Sequence, residues 1–372
     1  MIALPDVATL PEPAKQILAD GAPPRLREMA ARGIVLGLRP EAVVTVVAML
    51  AARTGDPVAA VAEATLSALP GPLLQGALGA TLDGFVVDAL ARRYARAHET
   101  LAKLLLMPTC AVETALHFAA SGDERATELV ATNQERLLAH PELIAALYMN
   151  KATRMSTCDR IVELAARNDV AVQGIPAWQE AKRAIEDELI AEPSEEALPD
   201  DVAFYEQQEL AEGLTEEAGE DAFFEDGEGK EQVDDKFKPL YQRIAEMSVS
   251  QKVRRAMLGS KEERMMLIRE QNKVVAAAAA RSPLLKESEV AQIARNRGIS
   301  EEVLRIIAGT NEWLKSYTVK HNLVLNSKTP IAISISLIHH LRESDLKRLS
   351  GDKNVSAAVQ MAAKRHLQRK KN

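Results

Sequence analysis

Through residues 90–185 and 240–372, apolar positions recur at three-and-four spacing and are interrupted by short polar breaks. That period is the signature of amphipathic helices that bury one face. Leu285, Val290, Ile293 and Ala294 mark one short helix, and Val303, Leu304, Ile307 and Ala308 the next. Ser300-Glu301-Glu302 opens the second as an N-cap and Gly309 closes it. Nearer the N-terminus, helices are predicted over 25–31, 40–52 and 57–69, and Gly71-Pro72, Gly76, Gly79 and Gly84 read as turns. These glycines do not have dinucleotide-binding spacing, and no strand precedes them. The alternating run 331–337 could form a strand, but Pro330 at a first helical position and its helical neighbours favour a helix. The alanine run 276–280 suits a helix that lets a neighbour approach closely. The breaks are too short for β–α crossovers, so the chain is read as all-α.

Internal similarity supports this more strongly than propensity. Leu147-Tyr148-Met149-Asn150-Lys151-Ala152-Thr153-Arg154 parallels Leu323-Val324-Leu325-Asn326-Ser327-Lys328-Thr329-Pro330. In each, an apolar helix end is followed by Asn, two residues and Thr, then another amphipathic helix. Asn suits a helix C-terminus or tight turn, and Thr or Pro starts the next helix. Degenerate versions stand at Leu106-Met107-Pro108-Thr109 and Ala280-Arg281-Ser282-Pro283. The same unit on both sides of the chain's middle points to a helical solenoid.

The stretch Val319-Lys320-His321-Asn322-Leu323-Val324-Leu325-Asn326-Ser327-Lys328-Thr329-Pro330 resembles the leucine-rich repeat variant, a HEAT-like helical repeat. It keeps the Asn, Thr and Pro of that repeat's Asn-Pro-x-Thr-Pro core at 326, 329 and 330, with Ser327 where Pro is usual. The chain also resembles uncharacterised helical-repeat proteins of deltaproteobacterial type, over about residues 100–170 and 272–365 and more weakly over 1–95. The resemblance implies an interaction scaffold and names no partner. Some relatives of the repeat hold an iron–sulfur cluster on clustered cysteines, which this chain lacks.

Charge divides the 372 residues, whose net charge is −7, into unlike blocks. Residues 1–185 carry 18 Lys+Arg against 20 Asp+Glu (−2). Residues 186–235 carry 21 acidic residues and one basic, Lys230 (−20), and residues 236–372 carry 27 basic and 12 acidic (+15). This predicts a helical-repeat domain over 1–185, an acidic disordered linker over 186–236 and a basic helical-repeat domain over 237–372. Self-repulsion and sparse apolar residues make a coil the expectation for the linker, spanning roughly 40 Å root-mean-square at ~5–6 Å × √n. It nonetheless holds Phe204, Tyr205, Phe223 and Phe224, in a chain with only 6 Phe and 5 Tyr. Paired aromatics among acids suit a short linear binding motif that orders on a partner; the alternative is a solubilising linker in which the aromatics are incidental.

The basic block offers Arg295, Arg297, Arg305, Lys320 and Arg342 as candidate contacts for an acidic protein partner. The nearest such partner is the linker itself, with Phe204-Tyr205 or Phe223-Phe224 anchored between helices and carboxylates meeting Arg295, Arg297 and Arg305; covalent tethering makes even weak docking substantial. The alternative is nucleic acid bound through the same block, with the linker as competitor. No Walker loop, nucleophile elbow or His-Glu-x-x-His is present. Two cysteines, Cys110 and Cys158, exclude a four-cysteine site, and Cys110 with His117 would supply only two ligands. Adjacent His339 and His340 point about 100° apart on a helix and cannot chelate one ion together. No catalytic, cofactor or metal residues are therefore predicted. The longest apolar run, 42–52, is about half a membrane span, and the first residues lack a signal peptide's basic start and long apolar core. A non-enzymatic cytoplasmic protein without membrane insertion is the expectation.

Overall fold

The structure, a computed structural model, describes residues 2–186, 188, 190–217, 223–225, 231–233, 237–352 and 354–371; for 215–217, 223–225, 231–233, 370 and 371 it describes the backbone alone. The described residues are helical apart from connecting turns and one short antiparallel pair, Phe223–Glu225 with Glu231–Val233. The chain forms two compact units, Met1–Val172 and Gln173–Asn372. The division falls before the composition boundary at 185/186: helix Trp178–Ala184 packs on helices Val249–Leu258 and Lys273–Ala280. No helix among the described residues is long and apolar enough to cross a membrane.

In the first unit, helix Pro40–Ala51 is the central element, with Val44, Val46, Val47 and Leu50 fully buried. Helices Pro24–Ala31, Ala59–Ser67 and Gly71–Leu78 pack around it. Pro40 sits in the first helical turn, where a missing N–H costs nothing. Gly76 and Gly84 are not turn residues. Gly76 lies inside helix Gly71–Leu78, where a Cβ would come within 2.8 Å of Pro40 Cγ, and Gly84 opens helix Gly84–Arg93, where a Cβ would meet Thr109 O at 2.8 Å. Their missing side chains permit close packing. Further along the unit, helices Val112–Ser121, Glu124–Ala131, Pro141–Met149 and Met155–Arg167 each pack on neighbours close to them in sequence.

The second unit follows the same rule of mostly sequential neighbours. Local chemistry sets its helix starts: Ser248, Ser260, Ser300 and Ser316 each accept a bond from a backbone N–H three residues on. The run 331–337 lies in helix Ile331–Ile338, with Pro330 at the N-cap rather than the first helical position. The alanines of 276–280 are all buried, because helix Lys273–Ala280 is packed by Trp178–Ala184, Val249–Leu258, Lys261–Leu267 and Glu301–Gly309. Small side chains let that many helices converge on one.

Polar bonds join positions about thirty residues apart within each unit. Asn150 Nδ2 donates to Ala119 O and Gly122 O, both at 3.0 Å. Asn326 Nδ2 donates to Ala294 O and Asn296 O, both at 2.9 Å. At the degenerate positions, Thr109 Oγ1 donates to Leu82 O at 2.6 Å and Ser282 Oγ to Met257 O at 3.4 Å. Asn150, Asn326 and Ser282 satisfy carbonyls at the end of a preceding helix, where the intrahelical partner is missing, whereas Thr109 satisfies the Leu82 carbonyl in the turn before helix Gly84–Arg93.

Candidate functional site

The strongest constellation in the second unit is built where an acidic helix lies on basic ones. Helix Pro199–Glu217 begins with Asp200 and Asp201 in its first turn, which favours the positive end of the helix dipole. Leu198 N donates to Asp201 Oδ2 at 3.0 Å. Its buried stripe is Asp201, Phe204, Gln207 and Ala211, at helical spacing. This stripe faces helices Lys238–Glu246 and Lys261–Leu267. Charge density alone predicts a coil through these residues; they form a helix because a polar, guanidinium-rich surface receives the stripe.

Phe204 is 1% exposed, and its ring lies beneath two guanidinium groups, those of Arg254 at 5.1 Å and Arg255 at 5.3 Å from the ring centroid. Both arginines come from helix Val249–Leu258 and are themselves almost fully buried. A desolvated cation over an aromatic face is worth about 2 kcal/mol. Arg255 also forms a two-pronged pair with Glu263: Nε donates to Oε1 at 2.9 Å and Nη2 to Oε2 at 2.5 Å. Its remaining nitrogen, Nη1, reaches Gln208 Oε1 of the acidic helix at 3.4 Å. Glu263 Oε2 accepts Ser260 N at 2.7 Å as half of a capping box, so one carboxylate both starts a helix and holds a guanidinium.

Gln207 Nε2 donates to Glu263 Oε1 at 3.5 Å, whereas Gln207 Oε1 is buried without a partner among the described residues. Beside this pair, Arg264 Nη2 donates to both oxygens of Glu289 at 3.0 Å, and its Nη1 donates to Gly259 O at 2.8 Å. Gly259 is needed for this arrangement, since a Cβ there would come within 2.6 Å of Glu263 Oε2. At the exposed margin Arg243 pairs with Glu206 at 3.3 Å. The arrangement holds an aromatic ring flanked by acidic and amide side chains.

The candidate contacts named by the sequence lie elsewhere in the unit. Arg295 and Arg297 are exposed at the end of helix Glu287–Arg295 and make no ion pair among the described residues. Arg305 is exposed and pairs with Glu301 of its own helix at 2.6 Å. Lys320 is half-buried on helix Tyr317–Leu325. Arg342 lies over the Tyr317 ring at 4.6 Å, while its backbone N–H donates to Tyr317 Oη at 3.0 Å. Burial, and then donation to Asp345, push the Tyr317 phenol up from its ordinary value. The guanidinium groups at Phe204 are thus those of Arg254 and Arg255, outside the five expected. Tyr205 is half-buried; the side chains of Phe223 and Phe224 lie outside the described residues.

Among the described residues, no three or more His, Cys, Asp or Glu side chains are grouped to hold a metal ion. Cys110 is buried, and that burial raises its thiol above the ordinary value. The residues missed by sequence reasoning had one local signal: Arg254-Arg255 stand just before the capping box Ser260-Lys261-Glu262-Glu263. No protein-family model, curated protein or solved structure matches this chain.

Proposed function

We propose that this chain is a non-enzymatic interaction scaffold of HEAT-like helical repeats, of the leucine-rich repeat variant kind. Its acidic segment docks on its own basic domain, and the basic surface takes acidic protein segments. Support for the repeat reading comes from the bonds that Asn150 and Asn326 make about thirty residues back, a spacing suited to stacked helix pairs. The observation that carries the functional reading is Phe204 seated under Arg254 and Arg255. An acidic helix bound in cis displays the chemistry by which a partner would bind in trans.

The test is Phe204→Ala in the full-length chain. Limited proteolysis should cut within 199–217 faster than in the unsubstituted protein. A labelled peptide spanning 198–217 should bind the variant at least about tenfold tighter, because its site is vacated. Equal cleavage together with no peptide binding would refute self-docking.

Nucleic-acid binding is the second reading, favoured by the exposed Arg295 and Arg297. It is weakened because Arg254, Arg255 and Arg264 are buried, the last two against carboxylates, which removes them from the field a phosphate would meet. Duplex DNA titrated across salt would support it by an affinity that falls steeply as salt rises.

A further inference from the structure

A second surface in the same unit lies between helices Ile331–Ile338 and Ala357–Lys371, which pack on one another and leave a groove of about 380 Å³. Its floor is apolar, formed by Ile335, Ile338, Ala358, Met361 and Ala362. Ile335 and Met361 are 38% and 54% exposed, and Ile331, one turn before Ile335, extends the apolar strip at 49%. Large apolar side chains left this open on adjacent helices mark an interaction surface.

The groove has a direction and a charge. On the longer helix, Ala358, Ala362, Arg365 and Arg369 follow one another at three- and four-residue steps, a stripe about 16 Å long at ~1.5 Å per residue. A stripe of three turns fits a helix laid in a groove, read through side chains at i, i+3 or i+4 and i+7. Alanines at its near end let a partner backbone approach, and guanidinium groups stand at its far end. Among the described residues no Asp or Glu lines the groove, and helix Ala357–Lys371 contains none. His339, at the end of the first wall, meets His366 of the second with 3.1 Å between their Nδ1 atoms, which ties the two walls together.

We propose that this groove docks an acidic amphipathic helix of a partner protein: apolar side chains seat on Ile335, Ile338 and Met361 while carboxylates pair with Arg365 and Arg369. The charge of the rim selects an acidic partner, and the apolar floor selects a peptide over a nucleic acid, whose contact would be with phosphates. The proposal deepens the scaffold reading and rests on it, but it uses residues separate from the Phe204 site.

The experiment uses the full-length chain and a labelled Leu/Glu model peptide with Leu on one helical face, measured by fluorescence anisotropy. Two comparison ligands are the same peptide with Ser for Leu, at equal charge, and duplex DNA. Micromolar binding is expected, weakened about tenfold or more by Ile335→Ser with Met361→Ser, and likewise by Arg365→Glu with Arg369→Glu. Both pairs alter exposed positions, and unchanged melting temperatures verify the fold. Phe204→Ala should leave this affinity within about twofold, so failure here is distinct from failure of self-docking. Equal binding of the Leu and Ser peptides, tighter binding of DNA than of the Leu peptide, or groove variants that bind as the unsubstituted chain does would each overturn the proposal.

Discussion

Asn150 and Asn326, in two separate units, have three side-chain hydrogen bonds in common. Each carboxamide nitrogen donates to two backbone carbonyls about thirty residues earlier, and each Oδ1 accepts from the N–H two residues on, that of Ala152 at 2.9 Å and that of Lys328 at 3.0 Å. The side chain thus closes its own turn and satisfies the end of a preceding helix. Asn326→Ala strands two carbonyls at a site only 3% exposed and should cost about 1–3 kcal/mol. Asn326→Asp should cost more, since a carboxylate would face carbonyl oxygens. Asn150 is only half-buried, so Asn150→Ala should cost less than its counterpart. Urea unfolding of the four proteins checks this order.

Thr153 and Thr329 follow those asparagines by three positions, and each hydroxyl is buried without a hydrogen-bond partner among the described residues. Their backbone N–H groups close the turn, at 3.1 Å to Asn150 O and 3.0 Å to Asn326 O. A Thr→Val exchange in a core ordinarily breaks a hydrogen bond; here it removes only the penalty of a buried, unsatisfied hydroxyl. Thr153→Val and Thr329→Val should therefore be neutral or stabilising by up to about 1 kcal/mol. A loss at either position would mean that its hydroxyl has a partner in solution.

The features legible in the sequence were those written locally. Ser300 starts helix Glu301–Gly309 because capping needs only neighbouring residues, although Gly309 is its last helical residue and Thr310 the C-cap; the Asn-x-x-Thr spacing repeats because the same turn is built twice. Helix Pro199–Glu217 was illegible for the opposite reason. Its buried stripe of Asp201, Phe204, Gln207 and Ala211 has one large apolar side chain, so hydrophobic periodicity passes over it. Counted as charge, the segment looks solvated, yet the surface receiving it is a set of guanidinium groups brought together by tertiary packing. The His339–His366 contact is equally non-local: treating His339 and His340 as a pair excluded a shared ion but could not disclose a partner on another helix.

Arg255 and Glu263 are 2% and 0% exposed at the side chain, so neither charge is compensated by water. Glu263→Gln keeps one side-chain oxygen as acceptor for the capping box but leaves a buried guanidinium without its counter-charge, at a cost of about 3–5 kcal/mol. Replacing both, as Arg255→Met with Glu263→Met, should cost much less, because desolvation of both ions disappears with their attraction. Both variants should cleave faster within 199–217, since each removes a group that the acidic helix contacts. A double variant as unstable as Glu263→Gln would contradict this account of the pair.

Acid titration should act with opposite signs at two glutamates. The Arg93 guanidinium, donating to Glu63 from Nε at 2.8 Å, holds that carboxyl below its ordinary value of 4.5. Its contribution is therefore present above about pH 4.5 and is lost as pH falls through the lower, folded value. Arg93→Gln should destabilise at pH 7 and match the unsubstituted chain in strong acid; because Glu63 is half exposed, the gap should be small and narrow with salt. Glu188 behaves inversely. Burial raises its carboxyl above 4.5 despite the bond from Ser250 N at 3.4 Å. The folded chain then holds its proton more tightly than the unfolded chain, so stability falls as pH rises from 4.5 through the raised value. Glu188→Gln keeps an acceptor for Ser250 while removing the charge. It should stabilise at pH 7 and have little effect below about pH 4, and urea midpoints across pH 3–7 would show the two substitutions diverging in opposite directions as pH rises.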